Sequence, residues 1–272
     1  MTLDQYTEAY GVIGNPVRHS LSPAMHNAAF REKGINAAYL AFEPVDLQDC
    51  IKGCRSMGIK GLSVTIPFKS DIIPLLDEVD DFALGIGAVN TVVNAGNRLK
   101  GYNTDAAGAM RALEEKTDVS DRRAVIIGAG GAARGIGYIL QQRGLEVIIA
   151  NRSVDRGMDL SRSLGCEFIQ LDKLPEVRAD ILINTTPAGM YPNVDISPVP
   201  EKAFKEGQVV MDIIYTPYKT RFLAMAEDRG CQTINGLSMF IYQGAEQFRL
   251  WTGIEAPLDI MTEAVKKALG QL

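Results

Sequence analysis

A glycine-rich loop between an apolar strand and an apolar helix constrains this chain more than any other feature. Residues 123–134 read RAVIIGAGGAAR, so a β-branched strand runs into the pattern G-x-G-x-x-A. Gly128 permits a tight turn, Gly130 lets the backbone approach a pyrophosphate, and Ala133 lets the helix pack on the strand. The N–H groups at the helix start then hold the anion. With a further strand predicted at 147–150, the pattern indicates a Rossmann unit that binds a dinucleotide.

The residues after that second strand indicate which dinucleotide binds. An NAD enzyme carries a carboxylate there, which holds the ribose 2′-hydroxyl of the adenosine. This chain instead has Asn151, Arg152 and Ser153, with Arg156 shortly after them. Because a guanidinium suits a 2′-phosphate, the sequence predicts NADP(H) rather than NAD(H) as the cofactor.

Composition restricts the class of protein and its partners. The 272 residues allow one large or two ordinary domains, and 46% hydrophobic with 22% charged residues is typical of a soluble α/β protein. A net charge of −5 without a basic run argues against nucleic acid as a partner. We expect no membrane association and a cytoplasmic location, because no apolar stretch is long enough to span a bilayer and the first residues lack a signal-peptide pattern.

The cysteines and histidines do not suggest a metal site. Cys50 and Cys54 lie four residues apart on one face of a predicted helix without a C-x-x-C motif, which favours buried packing. The two histidines are too few for a typical zinc cluster. His26 falls in a predicted helix and is interpreted as structural, whereas a site role for His19, in a loop, stays open.

Strands and helices alternate along the chain and divide it into two domains. The pattern before the glycine loop predicts strands, helices and a hairpin, at 10–13, 22–34, 37–42, 47–57, 61–66 and 87–102. This order implies a mainly parallel sheet. Ser22 is predicted to be the N-cap of the first helix. We predict an α/β substrate domain at 1–104 plus 238–272 and a Rossmann domain at 105–237. A cleft would separate them, and Gly236 could act as a hinge.

Hydride transfer between a nicotinamide and an alcohol also needs a side chain that gives and takes a proton. Tyr215 and Lys219 have the Tyr-x-x-x-Lys spacing of short-chain dehydrogenases, but Pro217 between them argues against the helix which that motif needs. Lys69 directly follows a predicted strand, at the end where α/β sheets place ligands. On local sequence alone a solvated lysine is the commoner interpretation, and Asp105 is by the same reasoning more often a helix N-cap.

Nine short motifs, in order along the chain, resemble those of shikimate dehydrogenases. They are SLSP at 20–23, VTIPFK at 64–69, GAVNT at 87–91, NTD at 103–105, GAGG at 128–131, NRS at 151–153, NTTPAGM at 184–190, DIIYTP at 212–217 and GAEQF at 244–248. The combination of VTIPFK and NTD is highly specific. The resemblance implies reversible, NADPH-dependent reduction of 3-dehydroshikimate to shikimate, a step in aromatic amino acid biosynthesis.

The same resemblance implies roles for individual residues. Lys69 and Asp105 would be the catalytic pair, with the formal acid and base of the pair left open. The substrate would be held by Ser20, Ser22, Thr65, Lys69, Asn90, Asp105, Tyr215 and Gln243. The cofactor would be held by Gly128, Gly130, Gly131, Ala132, Asn151, Arg152, Ser153, Thr185, Ile213, Gly236 and Met239.

Three alternatives are less well supported by the residues. A quinate/shikimate dehydrogenase with relaxed cofactor use would be favoured by an acidic residue at position 151, which is Asn. A non-catalytic NADPH-sensing protein would be expected to lack Lys69 or Asp105. A methylenetetrahydrofolate dehydrogenase would carry a Tyr-x-x-x-Lys helix in its first domain. The sequence does not determine the oligomeric state, and a homodimer is the assembly to test.

Overall fold

The computed structural model describes residues 3–270, which form two compact units. The first unit comprises the residues up to Thr104 together with those from Gln243 onward, and the second comprises the residues between them. The predicted domain ends at residues 1 and 272 lie outside the described residues.

The first unit is built on a six-stranded sheet with the order β2-β1-β3-β5-β6-β4. Its strands are β1 (Glu8–Ile13), β2 (Ala37–Phe42), β3 (Gly61–Val64), β4 (Glu78–Val79), β5 (Thr91–Ala95) and β6 (Arg98–Tyr102). Its helices are α1 (Ser22–Glu32), α2 (Leu47–Ser56), α3 (Asp81–Ile86), α9 (Leu258–Ala268) and the C-terminal part of α8 (Gly236–Thr252). A short 3₁₀ turn lies at Ile73–Leu75.

Strand pairing explains where the site of the first unit can lie. β1 is parallel to β2 and β3, whereas β5 is antiparallel to both β3 and β6, as the predicted hairpin requires. β1 and β3 are central, so they read as apolar runs and bury Ile13, Leu62 and Val64 in the core. The C-terminal ends of β1 and β3 therefore meet the start of β5 at one edge of the sheet.

The second unit has a six-stranded, fully parallel sheet with the order β12-β11-β10-β7-β8-β9. Its strands are β7 (Arg123–Ile127), β8 (Glu146–Asn151), β9 (Glu167–Gln170), β10 (Ile181–Asn184), β11 (Val209–Asp212) and β12 (Gln232–Ile234). Its helices are α4 (Asp105–Glu114), α5 (Gly131–Gln142), α6 (Val154–Leu164), α7 (Arg221–Asp228) and the start of α8. Two 3₁₀ segments lie at Leu171–Glu176 and Glu201–Ala203.

The order of these strands confirms the predicted Rossmann architecture. The chain starts at β7, moves outward through β8 and β9, and returns to build β10, β11 and β12 on the other side. The direction of winding therefore reverses between β7 and β10. In open α/β sheets the crevice at this point, outside the carboxyl ends of the strands, is where ligands bind.

The start of α1 differs from the prediction. Ser22 is the first residue of α1 rather than its N-cap, a position held by Leu21 without a capping side chain. The Ser22 N–H instead donates to Ser20 Oγ at 3.2 Å, so a hydrogen bond within the preceding turn replaces the expected cap. The predicted stop is confirmed, since Gly34 follows the helix with φ +65°.

Candidate active site

The glycine loop of the second unit has a backbone that only glycine adopts easily. Gly128 has φ +115°, and its N–H donates to Ala150 O at 2.9 Å. A Cβ on Gly128 would lie 2.5 Å from Thr185 Oγ1. Thr185 is itself fixed there, because its N–H and its hydroxyl both donate to Ile127 O, at 2.9 and 2.8 Å. The loop after β7 and the loop after β10 are thereby held against each other.

The next two glycines border open space. Gly130 is the N-cap residue of α5, and no side chain caps that end. A Cβ on Gly130 or Gly131 would meet no atom of the described chain within 4 Å, whereas Ala133 is fully buried. The N–H groups of the first helical turn thus face room for an anion. This part of the structure fits the pyrophosphate of a dinucleotide, with Ala132 in the same turn.

The end of β8 fits the phosphate that distinguishes NADP from NAD. Asn151 closes the strand, and its Nδ2 donates to Ser153 O at 2.9 Å, which shapes the turn into α6. Arg152 and Ser153 are exposed. The turn therefore offers a guanidinium, an amide and a hydroxyl, which are donors for a phosphate, and no carboxylate at 151–153.

A buried polar cluster supports the loops after β10 and β11. Asp212 is fully buried and accepts hydrogen bonds from Thr220 Oγ1 at 2.7 Å, Ile214 N at 3.1 Å and Asn184 Nδ2 at 3.1 Å. Asn184 Oδ1 in turn accepts from Thr186 N at 3.0 Å. Burial raises the pKa of the Asp212 carboxyl to about 6, although these donors act in the opposite direction.

Sequence reasoning assigned no role to Asp212 or Asn184. The role of Asp212 could have been inferred from its position, since it directly follows the apolar residues of β11. A charged group at the end of a buried strand needs several hydrogen-bond donors.

The residues expected at the nicotinamide end lie around the start of α8. A Cβ on Gly236 would lie 2.2 Å from Ile213 O, so only glycine lets α8 begin against this backbone. Met239 follows in the first turn and is half-buried. The Tyr215 ring packs on Phe240 with centroids 5.0 Å apart, and burial raises the pKa of its hydroxyl. A close backbone contact accounts for Gly236, while its role as a hinge stays a prediction.

In the first unit, three backbone hydrogen bonds bring candidate substrate residues together. Thr65 N donates to Ile13 O at 2.9 Å, Val64 N to Asn90 O at 2.7 Å, and Val89 N to Lys69 O at 2.8 Å. Thr65 and Lys69 follow β3, and Asn90 directly precedes β5. They lie at the same edge of the sheet, with Lys69 half-buried and Asn90 only 2% exposed.

The remaining candidates of the first unit lie on α1 and α8. Ser20 is half-buried, and its Oγ accepts from the Ser22 N–H. Ser22 is buried and is a hydrogen-bond neighbour of the Tyr39 hydroxyl. Gln243 is buried on α8.

Asp105 opens α4, so its carboxylate belongs to the first turn of the helix rather than to the expected cap position. A carboxylate is favourable there because of the helix dipole.

The histidines fit the predicted distinction between them. His26 is fully buried, stacks on Tyr39 with ring centroids 4.6 Å apart, and has a pKa lowered to about 3 by burial, so it is neutral. His19 is exposed. Among residues 3–270 no group of three or more His, Cys, Asp or Glu side chains is arranged to hold a metal ion. Within the same residues no helix is both long and apolar enough to cross a membrane.

Comparisons with known proteins agree with this arrangement along the chain. Three family models match successive segments: the shikimate dehydrogenase substrate binding domain at 12–92, shikimate/quinate 5-dehydrogenase at 110–213, and the shikimate 5′-dehydrogenase C-terminal domain at 236–266. The shikimate dehydrogenase (NADP(+)) of Thermococcus kodakarensis is 47% identical, over 98% of this chain and 99% of its own. That of Moorella thermoacetica is 45% identical, over 97% and 94%. The chain belongs to the shikimate dehydrogenase family.

A solved structure supports the family assignment. Shikimate 5-dehydrogenase from Thermus thermophilus, in complex with NADP(H) and shikimate, superposes with a TM-score of 0.91. It is 38% identical, and the match covers 96% of this chain and 100% of that one. As a shikimate dehydrogenase family member the protein is an oxidoreductase, and the predicted two-domain α/β fold is confirmed.

Proposed function

We propose that this protein is an NADP-dependent shikimate dehydrogenase that interconverts shikimate and 3-dehydroshikimate in aromatic amino acid biosynthesis. The observation that carries the proposal is identity of 45–47% over nearly the whole chain to curated NADP-dependent shikimate dehydrogenases. Three parts of the structure suit this reaction. They are the N–H groups at the glycine loop, the phosphate donors of the Asn151 turn, and Lys69 at the edge of the first sheet.

The cofactor binds to the second unit in this proposal. The glycine loop and the first turn of α5 would hold the pyrophosphate. The residues concerned are Gly128, Gly130, Gly131 and Ala132. Asn151, Arg152 and Ser153 hold the 2′-phosphate through neutral and charged donors. Thr185, Ile213, Gly236 and Met239 would border the nicotinamide. NADPH, when bound, supplies the hydride for reduction of the ketone.

The substrate binds mainly to the first unit. The hydroxyls of Ser20 and Ser22 suit a carboxylate, and Tyr215 of the second unit is a further donor. Thr65, Asn90 and Gln243 suit ring hydroxyls, because each side chain can donate and accept hydrogen bonds.

Lys69 is the proposed proton donor. Its Nζ would give a proton to the ketone oxygen during reduction and take one back in the reverse reaction. Asp105, the carboxylate that the family resemblance pairs with Lys69, keeps the ammonium oriented.

Absorbance of the reduced nicotinamide tests the proposal directly. Wild type should reduce NADP⁺ in the presence of shikimate, and Lys69→Ala should lower kcat by about 10²–10⁴-fold, the usual contribution of a general acid or base. Calorimetry should show that the variant still binds shikimate. Lys52→Ala, which removes an exposed lysine of the same unit, is the matched control and should retain wild-type kcat.

Other outcomes distinguish the alternatives. Strong turnover with quinate or NAD⁺ would indicate a quinate/shikimate dehydrogenase with relaxed cofactor use. Tight NADPH binding without turnover of any substrate would indicate a sensing protein and reject the enzymatic proposal.

We further propose a homodimer located in the cytoplasm. The edge strand β2, on which Leu40 is 51% exposed, offers a surface for self-association. Sedimentation velocity and cell fractionation would test assembly and location, and a single species of 29.6 kDa would reject the dimer.

A further inference from the structure

A hydrogen-bonded network of buried side chains lies behind Asn90 in the first unit. Gln247 Nε2 donates to Asn90 O at 3.3 Å and to Thr91 Oγ1 at 3.1 Å. On its other side, Gln247 Oε1 accepts from Ser63 Oγ at 2.8 Å and lies 3.3 Å from His26 Nε2. Asn90, Thr91 and Gln247 are each at most 2% exposed.

Two backbone groups determine how the side-chain amides of Gln247 and Asn90 are oriented. The Asn90 carbonyl oxygen can only accept, so the amide nitrogen of Gln247 must face it. The Thr104 N–H can only donate, so the amide oxygen of Asn90, 2.7 Å away, must face it. The Asn90 nitrogen then donates to Thr104 Oγ1 at 3.0 Å.

The Thr91 hydroxyl lies between the two amides. Its oxygen accepts from Gln247 Nε2, and its proton is donated to Asn90 Oδ1 at 2.8 Å. The Thr104 hydroxyl lies 3.2 Å from both Thr91 Oγ1 and Asn90 Oδ1 and completes the cluster. The Asn90 oxygen thus receives two short hydrogen bonds, from the Thr104 N–H and the Thr91 hydroxyl, and a longer one from the Thr104 hydroxyl. One N–H of the Asn90 amide remains for a ligand.

We propose that Thr91 is a positioning residue that fixes the Asn90 amide with an N–H toward the substrate, and that Gln247 holds Thr91 in this orientation. The Asn90 N–H then donates to the oxygen of a ring hydroxyl. The proton of that hydroxyl must be donated to another group. The inference rests on the proposed function, in which Asn90 binds a ring hydroxyl of shikimate.

Replacement of Thr91 by Val and by Ser tests the role of the hydroxyl. Val has nearly the same shape but no donor, so the Asn90 amide loses one of the bonds that orient it. We expect Thr91→Val to raise the KM for shikimate roughly tenfold, as expected when a hydrogen bond to a buried group is lost. The KM for NADP⁺ and the kcat at saturating shikimate should change less than about twofold, because a positioning effect acts on substrate binding. Thr91→Ser keeps the hydroxyl and should stay close to wild type.

Val92→Ala is the control for a general loss of stability. Val92 is the next residue on β5 and is buried in the core, and neighbouring strand residues point to opposite faces of the sheet. The variant should melt at a lower temperature than wild type, yet retain the wild-type KM for shikimate.

The results separate this inference from the proposed function. An active wild type with an unchanged KM in Thr91→Val would overturn the inference alone, as would equal losses in the Ser and Val variants. An equal rise in KM for Val92→Ala would show that strand stability, not the hydroxyl, matters. A wild type that does not turn over shikimate would overturn the proposed function, and this inference with it.

Discussion

Asp212 shows how one residue can couple the stability of the second unit to pH. Its carboxylate has no exposed surface and is held by donors from Thr220, Ile214 and Asn184. Burial disfavours the charged form, and the resulting pKa is about 6, against 3.8 for an ordinary Asp. The folded protein therefore binds the Asp212 proton more tightly than the unfolded chain. The stabilisation from this group is present below about pH 4 and is lost as the pH rises through 6.

We expect Asp212→Asn to remove this pH dependence, because the amide can keep the oxygen that faces Ile214 and Asn184 and can donate to Thr220. Between pH 4 and 7 the free energy of unfolding of wild type should fall relative to the variant by on the order of 2 kcal/mol. Urea denaturation at several pH values measures this difference, with Asp228→Asn on the exposed end of α7 as the control. Parallel pH curves for wild type and Asp212→Asn would contradict the prediction.

At the scale of elements, the strand–loop–helix unit from β7 to α5 uses its glycines for two different reasons. Gly128 has a left-handed backbone and no room for a Cβ beside Thr185, so it is required by the fold. Gly130 has φ −97° and open space around it, so the fold itself does not require glycine there. The remaining reason for glycine at 130 is close approach of a ligand to the backbone.

Gly130→Ala should therefore weaken cofactor binding without weakening the fold. We expect the dissociation constant for NADPH to rise about tenfold or more, while the melting temperature without cofactor changes by less than about 2 °C. Gly128→Ala should instead lower the stability by about 1–3 kcal/mol, the usual cost of a strained backbone. Nicotinamide fluorescence and thermal unfolding distinguish the two effects. If Gly130→Ala bound NADPH as tightly as wild type, the loop would not be the pyrophosphate site.

At the scale of the whole molecule, the two units carry different sets of proposed ligands. Each has its own six-stranded sheet and its own buried core. All of the proposed cofactor residues belong to the second unit, whereas most of the proposed substrate residues belong to the first, Asp105 and Tyr215 being the exceptions. The two sets of ligands are separate because each unit has its own sheet, and a ligand binds at the ends of the parallel strands of one sheet.

Hydrogen exchange with mass spectrometry should map each ligand to its unit. NADP⁺ should slow exchange at 128–134 and 151–153, because a bound phosphate occupies those N–H groups or covers them. Shikimate, added alone and then with NADP⁺, should slow exchange at 20–24 and 65–69. Strong protection by NADP⁺ confined to the first unit would contradict the proposed assignment of the domains.

Local patterns predicted the buried elements most accurately. The strand predicted at 147–150 lies within β8 and is buried over all four residues, because an apolar run without polar residues is typical of a buried strand. β4 and β9 were not predicted, since they are short edge strands with few buried side chains. The strand predicted at 61–66 ends already at Val64, where the chain turns toward Pro67. Short edge strands and the ends of strands depend on residues that are distant in sequence, which a local pattern does not contain.

The sequence by itself determined the fold class, the glycine loop and the family, because these depend on spacings within segments of about ten residues. Only the tertiary structure decided that Asp212 is a buried carboxylate with a raised pKa, since its burial comes from several packed elements. It also decided which way the Asn90 amide points, because Gln247 meets Asn90 across 157 residues of chain. Hydrogen-bond direction and burial are properties of such distant neighbours, and they exist only once the chain has folded.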